Sequence, residues 1–157
     1  MKFPFYFQST SNDCGPTCLK MVAEYYGRSY STEFLKKKCR LKRSGTSMLS
    51  MSKVVKEIGF HCRGVKMQIN KLKEMVQKGP VILHCKKNHF VIAYKTPAPQ
   101  RTGYYQIADP AKGLIKLKEK EFIQFWIGEL PGNSKAQKSL SPVKINSRMV
   151  YALLIKP

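Results

Sequence analysis

The hydrophobic period of this chain changes at Gly79-Pro80, and the change limits the folds open to it. Before the break, apolar residues recur at helical spacing. Leu19, Met21, Val22, Tyr25 and Tyr26 run up to a stop at Gly27. Phe34 and Leu35 face inward from a short helix capped by Ser31 and ending near Cys39. Met48, Leu49, Met51, Val54, Val55 and Ile58 lie between Gly45-Thr46-Ser47 and Gly59, and Leu72, Met75 and Val76 fall within 69–78. Phe60 to Met67 alternates and predicts a strand with His61 opposite Phe60. After the break the chain reads as strands over Val81–Cys85, His89–Tyr94, Tyr104–Ala108 and Leu114–Leu117, with one short helix over Glu119–Trp126. The 157 residues suit a single domain, 1–157, with a real core. Within it, 131–147 is polar and without apolar period, which predicts a flexible surface loop before a final strand over 148–156. Helices first and antiparallel strands afterwards predict an α+β fold, its N-terminal helical half packed on a C-terminal antiparallel β-sheet.

Charge narrows the partners. Lys and Arg number 29 against 9 Asp and Glu, so the chain carries +20 and attracts something acidic: nucleic acid, anionic lipid or an acidic peptide. With no zinc knuckle and no RNP-like aromatic motif, nucleic acid is not the expected partner. The dense cluster from Lys36 to Arg43 reads as a solvated helix end. Five cysteines, an odd number without a C-x-x-C pair, suit free thiols in a reducing compartment. Cys14 and Cys18 lie one turn apart, yet no His, Asp or Glu follows at ligand spacing, so no metal or other cofactor is expected. The N-terminus lacks a signal peptide, and no apolar run approaches 18 residues, which predicts a soluble, unexported chain.

Cys14 is the candidate nucleophile. Pro16 suits a first helical turn, so the thiol lies at a helix N-terminus, where unpaired N–H groups and the dipole favour its anionic, attacking form. Gln8, six residues upstream, is placed to join the Cys14 N–H in holding an oxyanion. Asp13 works against the anion beside it and reads as a cap or loop anchor. If the strands starting at His89 and ending at Asp109 form a hairpin centred near Pro99, these two residues face each other, with Cβ atoms about 4.5–5.5 Å apart. Pro110 holds Asp109 extended at its strand end. An imidazole oriented by a carboxylate is what a thiol nucleophile needs. His61 and His84 compete as bases, but His84 lies in a strongly apolar strand with no acid nearby. Cys18, Cys39, Cys62 and Cys85 read as packing thiols.

Gln8, Asp13-Cys14-Gly15-x-x-Cys18-Leu19, Tyr25-Tyr26-Gly27, His89-Phe90-Val91, Asp109-Pro110 and Phe125-Trp126-x-Gly128, in that order, resemble peptidase family C39, the double-glycine leader peptidases. The likeness spans 3–130 and resumes at 151–157. It implies a papain-like cysteine peptidase fold with Cys14 as nucleophile, His89 as base and acid, Asp109 as orienting carboxylate and Gln8 in the oxyanion hole. The implied substrate is a precursor of a bacteriocin or other secreted peptide, with an acidic amphipathic leader helix, cut after a Gly-Gly type pair. Family members are usually cytosolic N-terminal domains of ABC transporters. The chain is then either stand-alone or excised from a transporter with transmembrane and ATP-binding portions, at the cytoplasmic face of a bacterial inner membrane. A non-cleaving precursor-docking domain is the alternative.

Overall fold

The computed structural model describes residues 2–85, 88–127 and 149–157. The predicted loop at 131–147 falls outside them. Three helices open the chain: α1 (Cys14–Tyr25), α2 (Thr32–Lys38) and α3 (Met48–Glu57). Then come β1 (His61–Gln68), α4 (Ile69–Val76), β2 (Val81–Cys85), β3 (His89–Lys95), β4 (Tyr104–Asp109), β5 (Gly113–Lys118), α5 (Glu119–Ile127) and β6 (Met149–Lys156). Local chemistry sets several ends. Ser31 and Ser47 extend before α2 and α3, and their hydroxyls accept the N–H of Phe34 and Ser50. Gly27 and Gly59, both at positive φ, end the turns behind α1 and α3.

All strand pairs are antiparallel, in the order β1-β6-β2-β3-β4-β5. The last strand lies between the first and second, so β1, which belongs to the helical half in sequence, becomes an edge of the sheet. Both faces are covered. On one, Leu19, Met21 and Val22 of α1 and Met51, Val54 and Val55 of α3 pack on Phe90, Ile92 and Leu153. On the other, Leu72 and Val76 of α4 and Phe122 and Trp126 of α5 pack on Leu83, Val91, Tyr105 and Ile107. Side chains in a strand alternate, so β3 serves both cores, and its continuous apolar run follows from that.

Four side chains depart from the periodic reading, among them Tyr25 of α1, which is 38 % exposed. Phe34, expected inward, is 39 % exposed and stacks on Tyr30, while its neighbour Leu35 is buried. Leu49 of α3 is 66 % exposed. Lys73, a charged residue on the same face of α4 as Ile69, Leu72 and Val76, is buried: its ammonium meets Glu119 at 2.9 Å and the Arg101 carbonyl at 2.9 Å, and the Tyr105 hydroxyl donates to the same carboxylate. That network ties α4 to the start of α5 and to the β3–β4 connection. Among the described residues, no helix is long and apolar enough to cross a membrane.

Candidate active site

The site lies where the N-terminus of α1 meets the first residues of β3. Close packing brings them together at Gly15, where a Cβ would stand 2.5 Å from Thr46 Cγ2, 3.0 Å from Met51 Sδ and 3.5 Å from the Phe90 ring. Without a side chain there, the first turn of α1 settles against β3 and the loop before α3. Cys14 Sγ then accepts the Phe90 N–H at 3.5 Å and lies 4.0 Å from the Asn88 carbonyl oxygen.

His89 and Asp109 come together by a register different from the expected one. β3 pairs Ile92 with Ala108 and Ala93 with Ile107, so continuing the ladder sets Asp109 opposite Val91 rather than His89. The offset is two residues. A shift of two keeps both side chains on the same face, whereas a shift of one would have separated them. The imidazole reaches diagonally, and Nε2 donates to Asp109 Oδ1 at 2.8 Å. The same oxygen accepts the Ala111 N–H at 2.9 Å, which turns the chain after Pro110 back on the carboxylate. Asp109 is fully buried and the imidazole 27 % exposed.

With Nε2 committed to Asp109, Nδ1 is the nitrogen left for the thiol. The Asp109 hydrogen bond first, and the Cys14 contact second, outweigh burial and raise His89 from 6.5 to about 9. The imidazole therefore holds its proton at neutral pH.

Asp13 is a loop anchor and not a cap. Its side chain makes no bond to α1; Oδ2 accepts Ser9 Oγ–H at 2.7 Å and Ser9 N–H at 3.2 Å, and Oδ1 accepts Thr10 N–H at 3.0 Å. Burial alone would raise this carboxyl, but the bonds from Ser9 and Thr10, with Lys36 ammonium 3.0 Å away, bring it down to about 2. Its charge is thus spent on the 9–13 loop and Lys36, and the first N–H groups of α1 are left to face whatever sits by the thiol. Lys36, read from sequence as part of a solvated helix end, instead braces this loop.

Gln8 is tied to the other side of the site. Its main-chain N–H donates to the Pro110 carbonyl at 2.9 Å, its carboxamide nitrogen to the Thr10 carbonyl at 2.7 Å, and its buried side-chain oxygen has no partner among the described residues. One of the two N–H bonds of that amide remains for a ligand.

The competing groups fall elsewhere. His61 is exposed on β1. His84 stacks on Phe90 at 4.4 Å, and its Nε2 bonds Asn88 Oδ1 at 2.8 Å, so it supports the β2–β3 turn. Burial first, and then the charges of Cys14 and Asp109 among others, push the Cys18 thiol far up; burial and then Asp109 take Cys85 to about 12, and burial takes Cys39 to about 12. Those three remain neutral packing thiols. Sequence reasoning missed the Phe90 N–H and the Asn88 carbonyl, both main-chain groups that carry no residue-type signal. Asn88 had one usable sign: it sits at φ 54, and Asn is among the few residues suited to that backbone.

The Peptidase_C39 family model matches residues 2–131, most of the chain. The chain belongs to the peptidase C39 family. Among similar C39-containing proteins, the lactococcin-G-processing and transport ATP-binding protein LagD of Lactococcus lactis is 30% identical over 128 residues, covering 79% of this chain and 18% of LagD. The transport/processing ATP-binding protein ComA of Streptococcus pneumoniae is 32% identical over 118 residues, 74% of this chain and 16% of ComA. This chain thus spans less than a fifth of those relatives. A crystal structure of a double glycine motif protease from an AMS/PCAT transporter, in complex with the leader peptide, superposes with TM-score 0.75 at 27% identity, covering 99% of this chain and 92% of that one. The peptidase domain of Streptococcus ComA shares the fold, with TM-score 0.74 at 21% identity and 99% of each chain covered.

Proposed function

We propose that this C39 chain is a cysteine endopeptidase that removes the leader of a secreted peptide precursor after a Gly-Gly type pair, as one domain of a larger exporter or beside one. The observation that carries the reading is the joint placement of the Cys14 thiol against the Phe90 N–H and of the protonated His89, held through Nε2 by buried Asp109.

In this reading the proton that His89 already carries on Nδ1 is the one the Cys14 thiol has given up, and the sulfur, as thiolate, attacks the glycine carbonyl carbon. The developing oxyanion takes the Cys14 N–H and the spare N–H of Gln8. His89, as the imidazolium, protonates the departing amine, and Asp109 stabilises that charge and the ring orientation. A water, deprotonated by His89, then attacks the thioester and frees the leader's C-terminal carboxylate. The leader is taken to be acidic and helical, drawn by the +20 surface, and the chain to work at the cytoplasmic face of a bacterial inner membrane.

The test incubates the chain and its Cys14→Ala variant with a synthetic precursor bearing a Gly-Gly leader, with cleavage followed by mass. Cleavage after the second Gly by the wild type only is expected. Binding by both proteins with cleavage by neither would leave a docking domain instead.

A further inference from the structure

Beside the thiol lies a cavity of about 250 Å³ that the catalytic scheme does not use. It is lined by Arg40, Lys42, Ser44, Thr46, Ser47 and Asn88, with Cys39, Gly45 and Ser50 completing it. Asn88 connects the two: its carbonyl oxygen is 4.0 Å from Cys14 Sγ, and its amide donates to the Ser44 carbonyl at 2.8 Å on the cavity wall. The volume is below the roughly 300–1,000 Å³ of pockets that take whole small molecules, and it suits a single side chain.

The lining chemistry is one-sided. Two cationic residues, three serines, a threonine and an asparagine line the space, and among the described residues no acidic residue does. Among the described residues, neither Arg40 nor Lys42 has a carboxylate at ion-pairing distance. The N-terminus of α3 lies at the cavity wall, with the Ser50 N–H already donated to the capping Ser47 hydroxyl at 3.1 Å.

The backbone is held in place for this. The Lys42–Gly45 hairpin closes with bonds of 3.2 and 2.9 Å, and Asn12 donates to the Lys42 carbonyl at 2.9 Å. Arg40, Gly45 and Asn88 all have positive φ (49°, 95° and 54°), and all three line the cavity. Glycine and asparagine accept that backbone readily, but arginine does so at a cost, and non-glycine residues held this way gather at ligand sites.

We infer that this cavity is a subsite for an acidic side chain of the precursor, within a few residues of the scissile bond, with Arg40 and Lys42 binding its carboxylate. The assignment rests on the peptidase reading above. It differs from general steering by the net charge because it demands the acid at a fixed place in the substrate.

The experiment places Asp, Ala or Lys in turn at each non-glycine position within four residues of the bond and measures kcat/KM. For the wild type, Asp at one position is expected to exceed Ala by about threefold to fivefold, the scale of an ion pair with the exposed Arg40 and Lys42. That ratio falls to about one in R40Q/K42Q and inverts in R40E/K42E, which prefers the Lys peptide. K116Q/K118Q, on β5 and outside the cavity, removes two positive charges as R40Q/K42Q does and keeps the wild-type ratio. No charge preference at any position, or one unmoved by the changes at 40 and 42, overturns the subsite and leaves the peptidase standing. Cleavage of no peptide at all overturns both.

Discussion

His89 carries its proton because Asp109 and Cys14 both favour the charged ring, and the consequences can be measured at this one residue. A histidine raised from 6.5 to about 9 stabilises the fold fully below 6.5 and loses that contribution as the pH rises through about 9. Unfolding free energy measured by denaturant titration is therefore expected to decline across that window, and to decline less in Asp109→Asn. Under the proposed mechanism the same window governs catalysis, since above about 9 the ring has no proton for the leaving amine. The alkaline limb of kcat/KM is expected near 9 in the wild type and lower in Asp109→Asn, which keeps an acceptor for Nε2 but removes the charge. Asp109→Ala loses acceptor and charge together, with a fall in kcat of about 10²–10⁴-fold. An unshifted limb in Asp109→Asn would show that another group sets His89. That these residues would meet was legible in the sequence, because a thiol at a helix start, a strand-opening histidine and an Asp-Pro strand end are local signals. Their register was not: the ladder runs two residues off the expected pairing, with a one-residue irregularity between Ala93 and Lys95, and only cross-strand packing fixes both.

The first turn of α1 is held at both ends of its approach to the sheet. Its loop is pinned by buried Asp13, whose carboxyl, at about 2, keeps its charge and its bonds down to strongly acid pH. Asp13→Asn leaves Lys36 only its 3.9 Å approach to Glu33 and its bond to Ser9 Oγ, and weakens the bonds from Ser9 and Thr10 to residue 13, so a loss of about 2–4 kcal/mol is expected in chemical unfolding. That contribution is present above the ordinary 3.8 and vanishes as the pH falls through about 2, so wild type and variant converge in acid. The turn itself is seated by Gly15. A methyl there meets Thr46 Cγ2 at 2.5 Å, and Gly15→Ala is expected to cost about 1–3 kcal/mol. Thr46→Ser removes that carbon while keeping the hydroxyl bond to the Cys39 carbonyl, so the double variant recovers part of the loss. A strictly additive double-mutant cycle would rule out this contact. Helix boundaries near these residues were readable to within a residue or two from caps and glycines. Phe34 and Leu49 were misplaced because short helices have too few turns for period alone to say which apolar residue the core has room for.

Across the whole molecule, a charge of +20 on 157 residues acts over about a Debye length, roughly 8 Å at physiological salt. Initial cleavage of an acidic leader is expected to slow by about tenfold from low to high salt, chiefly through kcat/KM, and a neutral leader to respond far less. Equal responses of the two leaders would remove steering from the account. The same scale separates what the residues settle alone from what the fold settles. Period, caps, breakers and the order of Gln8, Cys14, His89 and Asp109 determined the elements, the α+β class and the family, because each depends on neighbours within a few residues. The insertion of β6 between β1 and β2, the burial of Lys73 against Glu119, the two-residue register offset and the cationic cavity at Arg40 and Lys42 were decided by the tertiary structure. Those features join residues far apart in the chain, and their energies exist only once packing has removed water from between them.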